Sequence, residues 1–174
     1  MPEFDDRLVR DRASGAIRDG DVRYVMVRAD ALMGLFKRLY PSMKHAAFHA
    51  FADAVAEQGG KSARRYQALG AQQGSALLRV IEETAPSLGW GVWRFGPIQP
   101  KRLELTVIGS PFVEGHGASV QPVCYAIVGM LRAASALVLG APTYVREVRC
   151  AAVDGEICRF EAEVRHGDDP DPRL

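Results

Sequence analysis

Apolar residues in the first half of the chain recur at the spacing of amphipathic helices. A first such stretch covers residues 30–40 and stops at Pro41, which cannot continue a helix. A second begins at Ser42, a common capping residue, and is predicted to end at Gly59–Gly60 because glycine favours helix termini. A third covers residues 62–84, with glycine interruptions. This half of the chain therefore predicts three helices.

The second half alternates between strand patterns and one helix pattern. It predicts two hairpins with a long apolar helix between them, the strands at residues 90–95, 103–108, 143–152 and 156–165 and the helix at residues 120–139. Hairpins pair antiparallel strands. We therefore expect an α+β fold in which N-terminal helices pack on a mostly antiparallel sheet.

The two ends of the chain lack these patterns. Residues 1–21 are polar without a clear period, which predicts a loosely ordered N-terminal arm. Residues 22–165 are predicted to form a single domain that opens with a short strand. Residues 166–174 are charged and contain proline, which predicts a frayed tail.

The composition of the chain mainly excludes certain classes of protein. The chain has 174 residues, 48% of them apolar and 25% charged, and a formal net charge of +1. This fits one globular domain without the run of roughly 18 apolar residues that a membrane span needs. The charge balance also lacks the excess of basic residues that is typical of nucleic-acid-binding proteins. No secretory signal pattern is visible, so we expect a cytoplasmic protein whose partners are neither nucleic acid nor a membrane.

The three cysteines all lie in the last third of the chain. Cys124 is near the start of the long helix, and Cys150 and Cys158 lie on the two strands of the final hairpin. A three-residue loop at 153–155 would place the hairpin cysteines opposite each other, with Cβ atoms about 4.5–5.5 Å apart. Two thiolates there could bind one zinc ion, whereas a two-residue turn would put them on opposite faces. Simple packing is the competing interpretation, because free cysteines are often buried.

The three cysteines lie in three short sequence motifs. They are a Pro-Val-Cys helix start at 122–124, a Glu-x-x-Cys strand at 147–150 and a Gly-x-x-Cys-x-Phe strand at 155–160. Together they resemble the 4-vinyl-reductase domain, and the resemblance extends over roughly residues 22–165. It implies a fold like that of TRAPP vesicle-tethering subunits and NO-signalling domains.

The resemblance also implies a metal site. In hydrocarbon-sensing members of the family, zinc is held by residues that match Cys124, Glu147, Cys150 and Cys158. Such a four-coordinate site is closed and structural. Glu147 lies three residues before Cys150, so regular strand alternation would put the two on opposite faces. A bulge near Arg149 is needed to bring both to one metal.

Other candidate residues are less specific. Members of this family bind their ligand between the helices and the sheet, which implies Trp93, Phe112 and His116 as pocket residues. Trp90 and Trp93 are three residues apart, so alternation predicts opposite faces for them. The histidine pair in the second predicted helix, His45 and His49, has the i, i+4 geometry of a metal or tetrapyrrole-iron pair, but a partly exposed helix face is the favoured explanation.

Three functions follow from these observations. The first is a stand-alone, zinc-stabilised protein that binds an apolar, aromatic or tetrapyrrole molecule as a carrier or sensor. The second is a part in bacteriochlorophyll biosynthesis, as a 4-vinyl reductase or as its substrate-handling protein. The sequence shows no nicotinamide, flavin or iron–sulfur site for the hydride chemistry of a reductase. The third is a TRAPP-like assembly module. Apolar residues on the first two predicted helices favour a homodimer, which would suit the first and the third function.

Overall fold

The computed structural model describes residues 3–165 and has the expected α+β architecture. The described residues form seven helices: α1 Phe4–Arg7, α2 Ala29–Arg38, α3 Pro41–Ala68, α4 Gly74–Ser87, α5 Pro111–His116, α6 Tyr125–Leu139 and α7 Ala151–Asp154. They also form seven strands: β1 Val9–Asp11, β2 Ala16–Asp19, β3 Val22–Tyr24, β4 Val92–Phe95, β5 Arg102–Ile108, β6 Thr143–Arg149 and β7 Cys158–Val164. The tail predicted at residues 166–174 lies outside the described residues.

The N-terminal segment differs from the expected loose arm. Residues 4–19 form α1, β1 and β2, and β3 completes a three-stranded antiparallel sheet in the order β1-β2-β3. Gly15 and Gly20 have φ angles of 63° and 59° at its two turns, a conformation that glycine adopts without steric cost. An ion pair of 3.2 Å between Arg7 and Asp19 joins α1 to β2. Pairing between distant polar residues orders this segment, and local periodicity does not reveal it.

The predicted end of the second helix at Gly59–Gly60 is wrong, because α3 continues through both glycines to Ala68. Both lie against α6: a Cβ atom on Gly59 would meet Met130 Sδ, and one on Gly60 would lie 3.5 Å from Ala133 Cβ. On the opposing helix, a Cβ atom on Gly129 would overlap the carbonyl oxygen of Ala52. These glycines permit close helix–helix contact, which outweighs their modest helix propensity.

A second, four-stranded antiparallel sheet has the order β4-β5-β7-β6. The first predicted hairpin is confirmed, since Val92 to Phe95 pair with Ile108 to Leu105. In the second hairpin, the helical turn α7 replaces the expected three-residue loop between β6 and β7. The central strands bury alternate residues on one face, namely Leu103, Leu105 and Val107 of β5 and Cys158, Phe160 and Ala162 of β7. This face of the sheet forms one side of the hydrophobic core.

Two further features differ from the sequence predictions. The short helix α5 lies between the first hairpin and the long helix, where no helix is predicted. The long helix α6 begins at Tyr125 rather than at residue 120, with Cys124 as its N-cap residue. None of the described helices combines the length and the apolarity that crossing a membrane requires.

Candidate functional site

A β-bulge at Val148 brings Glu147 and Cys150 to the same side of the sheet. Strand β6 pairs Glu147 with Phe160, skips Val148 and resumes pairing at Arg149. Val148 and Arg149 are both exposed, so two successive residues point outward and the alternation is reset. Cys150 then points inward again and is buried. The sequence required such a bulge for a four-ligand site, and the structure contains it.

The four residues that the resemblance implied as ligands form one cluster. One potential ligand atom from each of Cys124, Glu147, Cys150 and Cys158 lies within 4.8 Å of the other three. The Sγ atoms of Cys124 and Cys158 are 3.8 Å apart. Two thiolates at about 2.3 Å from one tetrahedral metal would be separated by about 3.8 Å. The spacing therefore fits a metal of zinc's size and geometry.

The Glu147 carboxylate is the group that most requires a cation. Its Oε2 atom accepts a hydrogen bond from the Cys124 backbone N–H at 3.0 Å. Its Oε1 atom is buried without a hydrogen-bond partner among the described residues. Burial, followed by the negative charge of Cys150, raises the pKa of Glu147 to about 8. A buried acceptor without a partner is costly, and a bound metal ion would satisfy it.

The thiols of Cys124 and Cys158 differ in how readily they lose a proton. Hydrogen bonds from Cys124 and Cys150, together with the Ala151 N–H at 3.4 Å, lower the pKa of the Cys158 thiol to about 4. Hydrogen bonding to Cys150 and Cys158, then burial, raises the pKa of the Cys124 thiol. The cluster thus already favours one thiolate, the form that binds metals.

Sequence reasoning missed one residue beside the cluster. Ser110 Oγ lies 3.3 Å from Cys124 Sγ, and both side chains are buried. Ser110 precedes α5 and is 14 positions away from Cys124. Hydrogen bonds of this kind orient metal ligands and tune their charge. No local sequence signal marks Ser110, because only the tertiary fold brings it to the cysteine.

A separate cavity of about 410 Å³ lies between α3, α4 and the N-terminal sheet. Its walls are largely apolar and include Val55, Ile81, Leu88, Trp90, Trp93 and Met130. The indole N–H of Trp93 donates to the Trp90 carbonyl oxygen at 3.0 Å, so this polar group is already satisfied. The cavity therefore offers mainly aromatic and aliphatic surface.

The predicted pocket residues have different positions. Trp93 lines the cavity. Phe112 is buried behind Trp90, with ring centroids 5.3 Å apart, and His116 is buried on α5 with Nδ1 3.3 Å from the Gly117 oxygen. Neither of these two lines this cavity.

The expected opposite orientation of Trp90 and Trp93 is wrong, since both line the cavity. Trp90 precedes β4, and Gly91 between them has a φ angle of 84°. The backbone at Gly91 therefore departs from the strand conformation on which the alternation rule depends.

The histidine pair also forms as expected from its spacing. The Nε2 atoms of His45 and His49 are 3.1 Å apart on α3. Burial and the neighbouring His45 lower the pKa of His49. Within residues 3–165, only the cysteine–glutamate cluster brings three or more potential metal ligands together, so the pair has no third ligand there.

Comparison with known proteins agrees with this description. The family model of the 4-vinyl-reductase domain matches residues 103–164, which contain all four cluster residues. The resemblance to that domain is therefore confirmed over this segment. No curated protein matches the chain by sequence.

Three solved structures are similar. The phenol-responsive sensory domain of the transcription activator PoxR, solved with phenol, shares 18% identity over 92% of this chain and 86% of its own, with a TM-score of 0.79. A trafficking protein particle complex subunit 3 from Naegleria fowleri, covalently bound to palmitic acid, shares 10% identity over 79% and 95%, with a TM-score of 0.51. A vinyl-4-reductase family protein from Methanocaldococcus jannaschii shares 15% identity over 79% and 91%, with a TM-score of 0.47. The first two likenesses confirm the expected fold.

Proposed function

We propose that this chain is a zinc-stabilised domain that binds a small apolar or aromatic molecule and acts as a sensor or carrier. The observation that carries this proposal is the tryptophan-lined cavity of about 410 Å³. Binding sites for small molecules are typically cavities of about 300–1,000 Å³ with mostly apolar walls and a few polar groups. The cavity has both this size and this composition.

The cluster of three cysteines and one glutamate supports the same function indirectly. Cys124, Glu147, Cys150 and Cys158 would supply four ligands and leave no open coordination position, which suits a structural role. The ligands come from the start of α6, from β6 and the residue that follows it, and from the start of β7. Zinc would therefore tie the long helix to one edge of the sheet, and its binding free energy would add to the stability of the fold.

The fold favours sensing or carriage of an aromatic ligand. The PoxR sensory domain has the same fold and is described as phenol-responsive. Trp90 and Trp93, with ring centroids 6.3 Å apart, give the present cavity a surface on which a flat ring can stack. Stacking and apolar burial require no catalytic group.

Ligand binding can be tested directly. Purified protein would be titrated with phenol, 4-butylphenol, naphthalene and protoporphyrin, the last of which tests the tetrapyrrole alternative. Binding in the cavity should change tryptophan fluorescence and raise the melting temperature by mass action. A Trp93→Leu variant should weaken binding, whereas Tyr144→Phe, at an exposed position on β6, should not. The absence of any shift across the panel would contradict the function.

A homodimer is the second part of the proposal. Val25, Met26 and Val27, in the connection between β3 and α2, are all at least 55% exposed. Leu35 and Tyr40 add exposed apolar surface at α2 and its end. Contiguous exposed apolar surface usually marks an interface. A dimer through this surface is compatible with sensing and with a TRAPP-like assembly role.

A further inference from the structure

The cavity combines buried apolar walls with exposed charged residues. Trp93, Ile81 and Ala85 line it and are buried. Lys61 and Arg65 also line it and are exposed, so they lie at its mouth, where it opens to solvent. The two basic residues are four positions apart on α3, so they lie on one face of the helix.

Among residues 3–165, one acidic residue lines the cavity, Asp19, and its charge is already compensated. Asp19 forms an ion pair of 3.2 Å with Arg7, and both side chains are largely buried. Lys61 is paired with Glu57 at 2.9 Å, but this contact is exposed and therefore weak. The mouth thus retains a positive charge that the cavity walls do not neutralise.

Arg65 is the source of that charge. Its side chain makes no hydrogen bond or ion pair with any other described residue. The guanidinium lies over the turn at Gly20, where an added Cβ atom would be only 2.7 Å from one of its terminal nitrogens. The absent side chain at Gly20 therefore leaves room for the guanidinium at the cavity mouth.

We propose that the cavity selects an apolar molecule with a carboxylate head, with Arg65 binding the carboxylate and the buried, tryptophan-lined wall binding the apolar body. This inference rests on the proposed ligand-binding function and narrows its ligand class. A guanidinium binds a carboxylate through two parallel, charge-assisted hydrogen bonds. Lys61 adds a second positive charge one helical turn away. A neutral molecule of the same shape would leave the Arg65 guanidinium without a partner.

The test uses two probes that differ only in the head group, 4-butylbenzoate and 4-butylbenzyl alcohol. Affinities would be measured by isothermal titration calorimetry at pH 7 and fixed ionic strength. The wild-type protein should bind the carboxylate about tenfold more tightly than the alcohol, as expected for one charge-assisted contact at a partly exposed site. Arg65→Gln should remove this preference and leave the affinity for the alcohol within about twofold.

Two further variants control the experiment. Arg64→Gln removes the adjacent exposed arginine, which lines a different groove, and should leave the preference unchanged. Arg65→Lys keeps the charge and should retain part of the preference. Melting temperatures of all variants would show that they are folded.

The outcomes separate the two proposals. If neither probe binds the folded wild-type protein and the panel of aromatic ligands also gives no shift, the ligand-binding function itself fails; if the panel binds and neither probe does, only the carboxylate preference is overturned. If the alcohol binds as tightly as the carboxylate, or if Arg65→Gln and Arg64→Gln weaken carboxylate binding equally, the ligand-binding function stands and the assigned role of Arg65 is overturned.

Discussion

Trp93 and Cys158 belong to one cross-strand row of the four-stranded sheet, with Val107 between them. Trp93 pairs with Val107 on β5, and Val107 pairs with Cys158 on β7. All three side chains are buried on the same face. Since neighbouring strands are about 4.8 Å apart, the cavity wall and the cysteine–glutamate cluster are separated by about 10 Å of sheet. The two sites therefore share one rigid element.

Because this row connects the cavity wall to the cysteine–glutamate cluster, we predict that metal removal weakens ligand binding. Without a metal, the Cys124–Cys158 contact would loosen and the β7 edge would gain freedom, which would disturb the position of Trp93. Calorimetric titration with 4-butylbenzoate, before and after treatment with a chelator, should show a severalfold loss of affinity, restored by added zinc. Equal affinities in a folded, metal-depleted protein would show that the two sites are independent.

Metal content is the most direct prediction. Protein purified without chelator should contain about one zinc per chain, bound by three thiolates and one carboxylate. Cys150→Ala and Cys158→Ala should each lose the metal and lower the free energy of unfolding, because metal binding is coupled to folding. Ser110→Ala removes only the hydrogen bond to Cys124 and should keep the metal at reduced affinity. Elemental analysis with thiol titration checks this. Three freely reacting thiols in folded, metal-poor protein would leave packing as their role.

The pH dependence of stability should report on Glu147 in the metal-free protein. Burial raises its folded-state pKa to about 8, above the ordinary value of 4.5. Between these values the folded state keeps the proton that the unfolded state has lost, so unfolding releases a proton. The carboxyl's contribution is therefore full below pH 4.5 and is lost as the pH rises towards 8.

Glu147→Gln provides the comparison, because glutamine stays neutral at every pH. Under chelator, the free energy of unfolding of the wild type minus that of the variant should fall from about pH 5 to about pH 8, by at most about 1.4 kcal/mol per pH unit. The low pKa of Cys158 arises mainly from hydrogen bonds with Cys124 and Cys150, which both proteins keep, so this shift largely cancels in the difference. Denaturant unfolding at several pH values measures the difference, and a flat difference would contradict burial of the neutral carboxyl.

Gly129 should resist substitution despite its position within a helix. Gly129→Ala would drive a methyl group into the Ala52 carbonyl oxygen and separate α3 from α6, at a cost of about 1–3 kcal/mol. Gly34→Ala in α2 is the matched control, since its new methyl group would meet only the flexible end of Arg38. The control should be neutral or slightly stabilising because alanine is the better helix former. Similar thermal stabilities of the two variants would contradict close α3–α6 packing.

Measuring the oligomeric state tests whether the exposed apolar surface around Val25 and Met26 is a dimer interface. We expect a dimer by multi-angle light scattering at tens of micromolar, and Met26→Ser combined with Val25→Ser should shift it to monomer by removing buried apolar area. Val120→Ser changes a residue that is 94% exposed and is not part of the proposed interface, and it should leave the dimer intact. A monomeric wild-type protein would remove this interface from the proposal.

Much of the molecule was predictable from the sequence because its signals are local. Alternating apolar residues defined the strands at Val92–Phe95 and Arg102–Ile108, and the apolar run after Cys124 defined α6. The candidate metal ligands, three cysteines and one glutamate, can be identified from the sequence because they lie in short motifs of fixed spacing. Strand parity even indicated that Glu147 and Cys150 needed a bulge between them.

Only the tertiary structure decided how distant segments meet. The polar N-terminal strands gain order from partners such as the Arg7–Asp19 ion pair, and Gly59 remains helical because α6 packs closely against it. Trp90 reaches the cavity through the turn at Gly91, and Arg65 reaches its mouth because Gly20 leaves space. Periodicity depends on neighbours three or four residues away, whereas a cavity depends on contacts between residues far apart in the chain. The sequence thus indicated the main helices, the strands of the four-stranded sheet and the four candidate metal ligands, and long-range packing determined the cavity and its charge.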